Sequence, residues 1–315
     1  MEENNLDNNL HIDGTAPSAE GRVESPVNTA HFLKKIPLWK WSLLLVGGLV
    51  LFFILYGLST GLSQASGKWL VDTALAIVLS SVMLAAYHFW LRLTERNSSP
   101  SDVAPISPSG KSFILPLLRG QGVGIVFFGV VTLLIFAFGQ YSVKSIDWDA
   151  PSFLQWFFFF MVVGVGEEVL FRGILYRMID KRWGKLWALL VSSLLFGFGH
   201  LPNEDATVWS SFAIAIEAGL LLGAAYSLSG NLWFPIGIHW TWNFMEGVFF
   251  GFDVSGSPSA YKFLIPEIGQ SEIITGGGFG PEASVITVVL GLALSVLFLW
   301  MSAEGKKKEG TSPVR

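Results

Sequence analysis

The stretch from Trp41 to Gly61 contains no charged side chain, and stretches of this kind recur along the chain. Crossing the hydrocarbon of a bilayer takes about 20 helical residues. No water is available there to unpaired backbone groups, so a crossing chain folds as helices or as a closed barrel. The apolar residues here run continuously instead of alternating, which is the helical pattern. Eight spans are read on this basis: Trp41–Gly61, Val71–Leu91, Gly122–Val143, Ser152–Met178, Leu186–His200, Val208–Leu228, Leu232–Gly251 and Ala283–Ser302. The fold class expected is an all-α polytopic membrane protein of about eight transmembrane helices. Composition agrees, since 14% of residues are charged where a soluble domain carries about 25%. There is no cysteine, which excludes disulfides, thiolate metal sites and a cysteine nucleophile.

The cations support the count. With the N-terminus in the cytoplasm and the spans alternating, sixteen Lys and Arg fall inside, at both ends and between spans two and three and spans four and five. Three fall outside, Lys68, Lys144 and Lys262, while Arg172 lies within a span. That bias is the positive-inside pattern. The chain then divides into an acidic, disordered cytoplasmic tail (1–36), two first helices (37–96), a Pro/Ser-rich cytoplasmic linker (97–118), a transmembrane core (119–302) and a basic cytoplasmic tail (303–315). The first 30 residues lack an apolar core, so no cleavable signal peptide is expected. The segment from Phe252 to Pro281, rich in Gly, Ser and Pro, reads as a lid or as slack chain.

Inside these spans ionisable residues are costly, by several kcal/mol each on most estimates. Yet the apolar run Phe157–Val163 leads directly into Glu167, Glu168 and Arg172. Glu168 and Arg172 stand at i,i+4 and can pair on one helix face. Glu167, about 100° round the helix, needs another partner. His200 closes span five, and His239 and Asn243 share a face of span seven. At 1.5 Å per residue, Glu167, His200 and His239 lie ~15, ~22 and ~12 Å from the cytoplasmic ends of their spans, depths at which they can line one cavity. Of the other histidines, His11 and His31 precede the first span and His88 reads as interfacial. A carboxylate and a histidine in a low-dielectric pocket suit general-base attack by water. A second histidine and an amide suit a developing oxyanion. Two other readings remain open: the same groups as interhelical hydrogen-bonded glue, or as an ion or proton path in a transporter. Glu246 shares the face of His239 and Asn243 and reads as an outer-interface carboxylate; Glu217 in span six is undecided.

In order along successive helices, Glu167-Glu168-x-x-x-Arg172, Phe196-x-x-x-His200 and His239-x-x-x-Asn243 resemble the motifs of the CPBP intramembrane proteases. These include the type II CAAX prenyl endopeptidases and the bacteriocin-processing or Abi proteins. The resemblance covers roughly residues 150–250, with its catalytic core in helices four to seven. It implies an endopeptidase in which Glu167, assisted by His200, activates water and His239 and Asn243 stabilise the oxyanion. Glu168, Arg172 and Phe196 would be supporting residues. It implies a membrane-embedded enzyme acting on a peptide or lipidated protein, CAAX-type prenylated substrates included. No nucleic acid and no cofactor are expected. Because the family has also been described as metalloproteases, zinc held by Glu167, His200 and His239 is the alternative. A transporter, or an immunity or partner-binding protein that keeps the fold without the activity, is the other reading. A prokaryotic plasma membrane with both termini cytoplasmic is the expected location.

Overall fold

In hydrocarbon each backbone N–H and C=O must be paired within the chain, and the helix does this locally. The computed structural model describes residues 36–94 and 113–310. The expected tail up to residue 35, the linker over 95–112 and the residues from 311 onward lie outside the described residues, as do His11 and His31. Helix α1 is Leu38–Leu62, α2 is Trp69–Thr94 and α3 is Ile114–Ala137. Helix α4 begins at Ala150, where the Asp149 carboxylate accepts the Ser152 N–H at 3.3 Å and Pro151 sits in the first turn; proline lacks the N–H that a first turn leaves unpaired. It runs Ala150–Glu168, widens into a π-helical stretch Val169–Tyr176 and finishes as Arg177–Trp183. Helix α5 is Lys185–Gly199. Helix α6, Val208–Ser229, starts on a Thr207–Ser210 capping box and carries a π-helical stretch at Ala215–Leu220. Helix α7 is Trp233–Phe244, extended by a π-helical Met245–Phe249.

Among the described residues five helices are long and apolar enough to cross a membrane: α1, α2, α3, α6 and the last helix, Val285–Gly310. The rods α4, α5 and α7 stand where the fourth, fifth and seventh spans are expected. The molecule is an all-α polytopic membrane protein with small extramembrane strands. Strand β1 (Tyr141–Ile146) pairs antiparallel with β4 (Leu264–Ile268), and β2 (Asp253–Val254) with β3 (Ser257–Pro258). With the short helix α8 (Glu272–Thr275) between β4 and the last helix, α9 (Val285–Gly310), they turn the segment from Phe252 to Pro281 into an ordered cap. The Tyr141 hydroxyl donates to Phe250 O at 2.9 Å, and burial pushes that phenol up to about 12.

The interior holds a small apolar cluster around Phe160, Trp240 and Phe244 and two larger ones. One of the larger clusters joins α1, α2, α4 and α5 through Phe52, Met83, Tyr87, Val169, Ile174 and Leu189. The other joins α3, α6, α7 and α9 through Phe128, Ile214, Leu221, Trp242 and Phe298. Phe171 packs against both. In the apolar window of α6, 72% of residues are buried, against 17% in α1, so α6 is central and α1 peripheral. Helices α3 and α7 approach closely because Gly120, Gly124 and Gly237 lie at the crossing. A Cβ on Gly120 or Gly237 would overlap the partner backbone, and one on Gly124 would overlap Thr241 Oγ1. Small residues four apart let transmembrane backbones pack this closely, and the Thr241 hydroxyl adds a hydrogen bond to Gln121 O at 3.1 Å across the crossing. Gly122, by contrast, has open space around its Cβ position. Gly124→Leu is therefore expected to lower the melting temperature of the detergent-solubilised protein by several degrees, the effect of roughly 1–3 kcal/mol of overpacking. Gly122→Leu should leave it unchanged within error.

Candidate active site

Glu168 and Arg172 of α4 meet α5, α6 and α7, and Glu167 beside them meets α1 and α7. Arg172 is wholly buried, and its Nη1 donates to Glu168 Oε1 at 2.8 Å. Its Nη2 donates to the carbonyls of Ala218 and Gly219 at 3.2 and 2.9 Å. Those carbonyls belong to the π-helical stretch of α6, where the wider turn disturbs the regular ladder. Below the guanidinium, 4.6 Å from its carbon, lies the Phe196 ring. The arginine is thus paired, hydrogen-bonded and stacked, which is what a buried cation requires.

Glu168 has a second partner. His239 Nδ1 lies 2.9 Å from the same Oε1. A carboxylate paired with arginine only accepts, so Nδ1 carries the proton and its orientation is set. The other ring nitrogen, Nε2, faces Glu167 Oε2 at 3.7 Å, beyond hydrogen-bond length. Glu167 Oε1 accepts the Tyr56 hydroxyl at 2.8 Å. The two adjacent glutamates are therefore unlike: Glu168 is fully enclosed, whereas the Glu167 side chain keeps 13% of its surface. Asn243 is buried one turn beyond His239 on α7.

His200 stands at the end of α5, with Nδ1 2.8 Å from Phe196 O. A carbonyl can only accept, so Nδ1 is the protonated nitrogen and Nε2 presents a lone pair. Phe196 connects the groups, its ring 5.0 Å from His200 and 5.9 Å from His239. The sequence places Phe196 beside His200; the structure also puts it under Arg172. Zinc at Glu167, His200 and His239 is the alternative reading of these groups. In both histidines Nδ1 is held by a protein acceptor, Glu168 or the Phe196 carbonyl, which leaves Nε2 as the nitrogen able to meet a further group. Among the described residues no three His, Asp, Glu or Cys side chains are grouped to hold a metal ion.

Glu246 differs from expectation, Glu217 takes a definite place, and Glu282 and Tyr56 join the site without a motif to mark them. Glu246 is fully buried, not interfacial, because α7 continues as a π-helix under the ordered cap, beside Glu282 and Trp242. Glu217 is also fully buried, and among the described residues its carboxylate accepts no hydrogen bond. Glu282, in the turn before α9, accepts from the Ser255 hydroxyl at 2.5 Å and lies within electrostatic reach of His200, His239 and Glu167. Burial holds its carboxyl above the usual range, with the Ser255 hydrogen bond opposing. Tyr56 lies on the peripheral helix α1; its only sequence signal is a hydroxyl on the stripe Trp41, Gly48, Phe52 and Ser59 that α1 buries.

One glutamate paired with arginine and histidine, next to a second, partly exposed carboxylate, is an arrangement able to serve hydrolysis. The family model of type II CAAX prenyl endopeptidase Rce1-like proteins matches residues 149–245. Over these residues, about a third of its length, the chain is similar to the Rce1-like family. The match supports a membrane protease of the CAAX type. The matched segment spans the motifs of α4, α5 and α7 and ends two residues past Asn243. No curated protein and no solved structure matches the chain. Truncating Arg172 would strand Glu168 as an unpaired buried charge, at a cost of about 3–5 kcal/mol. Arg172→Ala is expected to collapse the yield of folded protein in size-exclusion chromatography, whereas Glu167→Gln, at the partly exposed position, should elute as wild type.

Proposed function

We propose that the chain is an intramembrane endopeptidase that cleaves membrane-associated peptides with a water activated by Glu167. The observation that supports this most is the division of labour between the two glutamates. Glu168 is neutralised by Arg172 and bonded to His239, while Glu167 keeps accessible surface and an oxygen, Oε2, without a hydrogen bond from His239. In the reaction Glu167 takes a proton from water as the hydroxide adds to the scissile carbonyl carbon. His200, with Nε2 unprotonated, shares that proton and returns it to the departing amine. The oxyanion is met by His239 Nε2–H and the Asn243 amide. Since His239 gives Nδ1–H to Glu168, donating from Nε2 requires the imidazolium. Imidazolium and Arg172 together balance the two carboxylates, leaving a cluster of zero net charge, which suits hydrocarbon. The chemistry needs no metal.

The substrate class that fits is a lipidated C-terminal peptide of the prenylated CAAX type, approaching from the cytoplasm. The family and the site's place at membrane depth support this, and the positive-inside pattern supports cytoplasmic termini in a prokaryotic plasma membrane. Membranes carrying wild type and Glu167→Gln are compared, with and without a chelator, by mapping new peptide ends with mass spectrometry. Wild-type ends should vanish in the variant, a loss of at least about 100-fold in rate, and persist in chelator. Identical maps from the two proteins would sink the assignment in favour of transport or binding.

A further inference from the structure

The α1–α2 hairpin carries no residue of the family motifs and lies outside residues 149–245, yet it reaches the centre of the site. Helix α1 is mostly lipid-facing; its buried residues Trp41, Gly48, Phe52 and Ser59 form one stripe, and Tyr56 lies along it. From that stripe the Tyr56 hydroxyl donates to Glu167 Oε1 at 2.8 Å. Room for the ring is made on α4 by Gly166, directly before Glu167, where a Cβ would overlap the Tyr56 ring. A second tyrosine of the hairpin, Tyr87, donates to Gly173 O at 2.9 Å, inside the π-helical stretch. The basic end of α1 is anchored separately: Arg182 donates to Ile36 O at 3.2 Å, and Trp41 packs edge-on to Trp183 at 4.7 Å. The hairpin is thus clamped to α4 at its end and makes a directed polar contact halfway along.

We propose that Tyr56 is a positioning residue for Glu167, and that α1 completes an active site whose motifs all lie on other helices. The assignment rests on the reading of Glu167 as the general base. A carboxylate on a flexible side chain has two equivalent oxygens and several rotamers, which a general base cannot use equally. With Oε1 bonded to the phenol, the carboxylate plane is set and Oε2 is turned toward His239, where water would be held. A phenol in an apolar helix has no water to bond with, so the contact is maintained. The α4 side of the arrangement depends on the one residue type that admits the ring, glycine at 166.

The test uses the full-length protein in liposomes with an internally quenched peptide ending in a farnesylated Cys-aliphatic-aliphatic-X sequence. Tyr56→Phe keeps the ring and deletes one oxygen. It should lower kcat about tenfold, the weight of one hydrogen bond to a charged group, with KM and melting temperature unchanged. Gly166→Ala should give a similar loss, and the double variant no further loss. A kcat within twofold of wild type for Tyr56→Phe overturns the proposal; so does a loss that follows melting temperature, which would make Tyr56 packing only. A second readout is independent of proteolysis: the rate at which dicyclohexylcarbodiimide modifies Glu167, followed by mass spectrometry. Removing the phenol uncovers Oε1, so Tyr56→Phe should be modified at least several-fold faster, and an unchanged rate overturns the positioning. If the rate rises while neither wild type nor Glu167→Gln cuts any peptide, Tyr56 still positions Glu167 and the protease reading is what fails.

Discussion

The fully buried pair of Glu168 and Arg172 is the interaction on which the rest of the polar interior depends. Neither ion is tolerable alone in hydrocarbon, and even together they need further hydrogen bonds to offset desolvation. Each demand recruits another helix. The arginine takes two carbonyls from α6 and the face of Phe196 from α5. The glutamate takes His239 from α7. Four helices are therefore fixed around one charge pair. Because the pair is at i,i+4, it is also held rigidly along α4, so Glu167 inherits a defined height and direction from its neighbour.

Satisfying the pair needs carbonyls that a regular helix does not release. An α-helix spends its carbonyls internally, apart from those of its last turn. The π-helical stretch of α6 lies opposite Arg172 and presents Ala218 and Gly219 to it; that of α4 presents Gly173 to Tyr87. Gly219 has a further task, since a Cβ there would press on Ser193 of α5. The irregular turns and the close contacts thus occur at the same places. Backbone distortion is tolerated at membrane depth where it lies inside protein, and here it supplies hydrogen bonds to side chains.

Much of this was legible in the residues. The apolar runs foretold the helices, because hydrocarbon leaves a continuous apolar chain few other folds. The i,i+4 spacing foretold the Glu168–Arg172 pair, because helix geometry brings those positions together whatever surrounds them. The π-helical stretches were not legible: they depend on partners distant in sequence, and no local residue type marks them. The cap was read as lid or slack because Gly, Ser and Pro are turn formers, while its order comes from pairing of β1 with β4 across more than a hundred residues. For Glu246 the spacing from His239 gives the face, but burial is decided by the cap folding over the end of α7. Nothing local marks Tyr56, because a tyrosine in an apolar helix is common at interfaces and its partner is 111 residues away.

The adjacency of Glu167 and Glu168 has its own logic. Consecutive helical residues point about 100° apart, so one carboxylate enters the bundle and the next meets a different neighbourhood. The inward one is consumed by arginine and histidine. The other retains a phenol on one oxygen and open surface at its edge. A single glutamate could not satisfy both environments, because the arginine and histidine that make burial bearable share its Oε1 deep inside the bundle, where the carboxylate has no exposed surface at which to meet water. Doubling the residue separates the tasks while keeping them one peptide unit apart. It also lets His239 span both, with Nδ1 at 2.9 Å from Glu168 and Nε2 at 3.7 Å from Glu167. The shorter contact orients the ring; the longer one leaves between histidine and glutamate the separation at which a third polar group can bond to both.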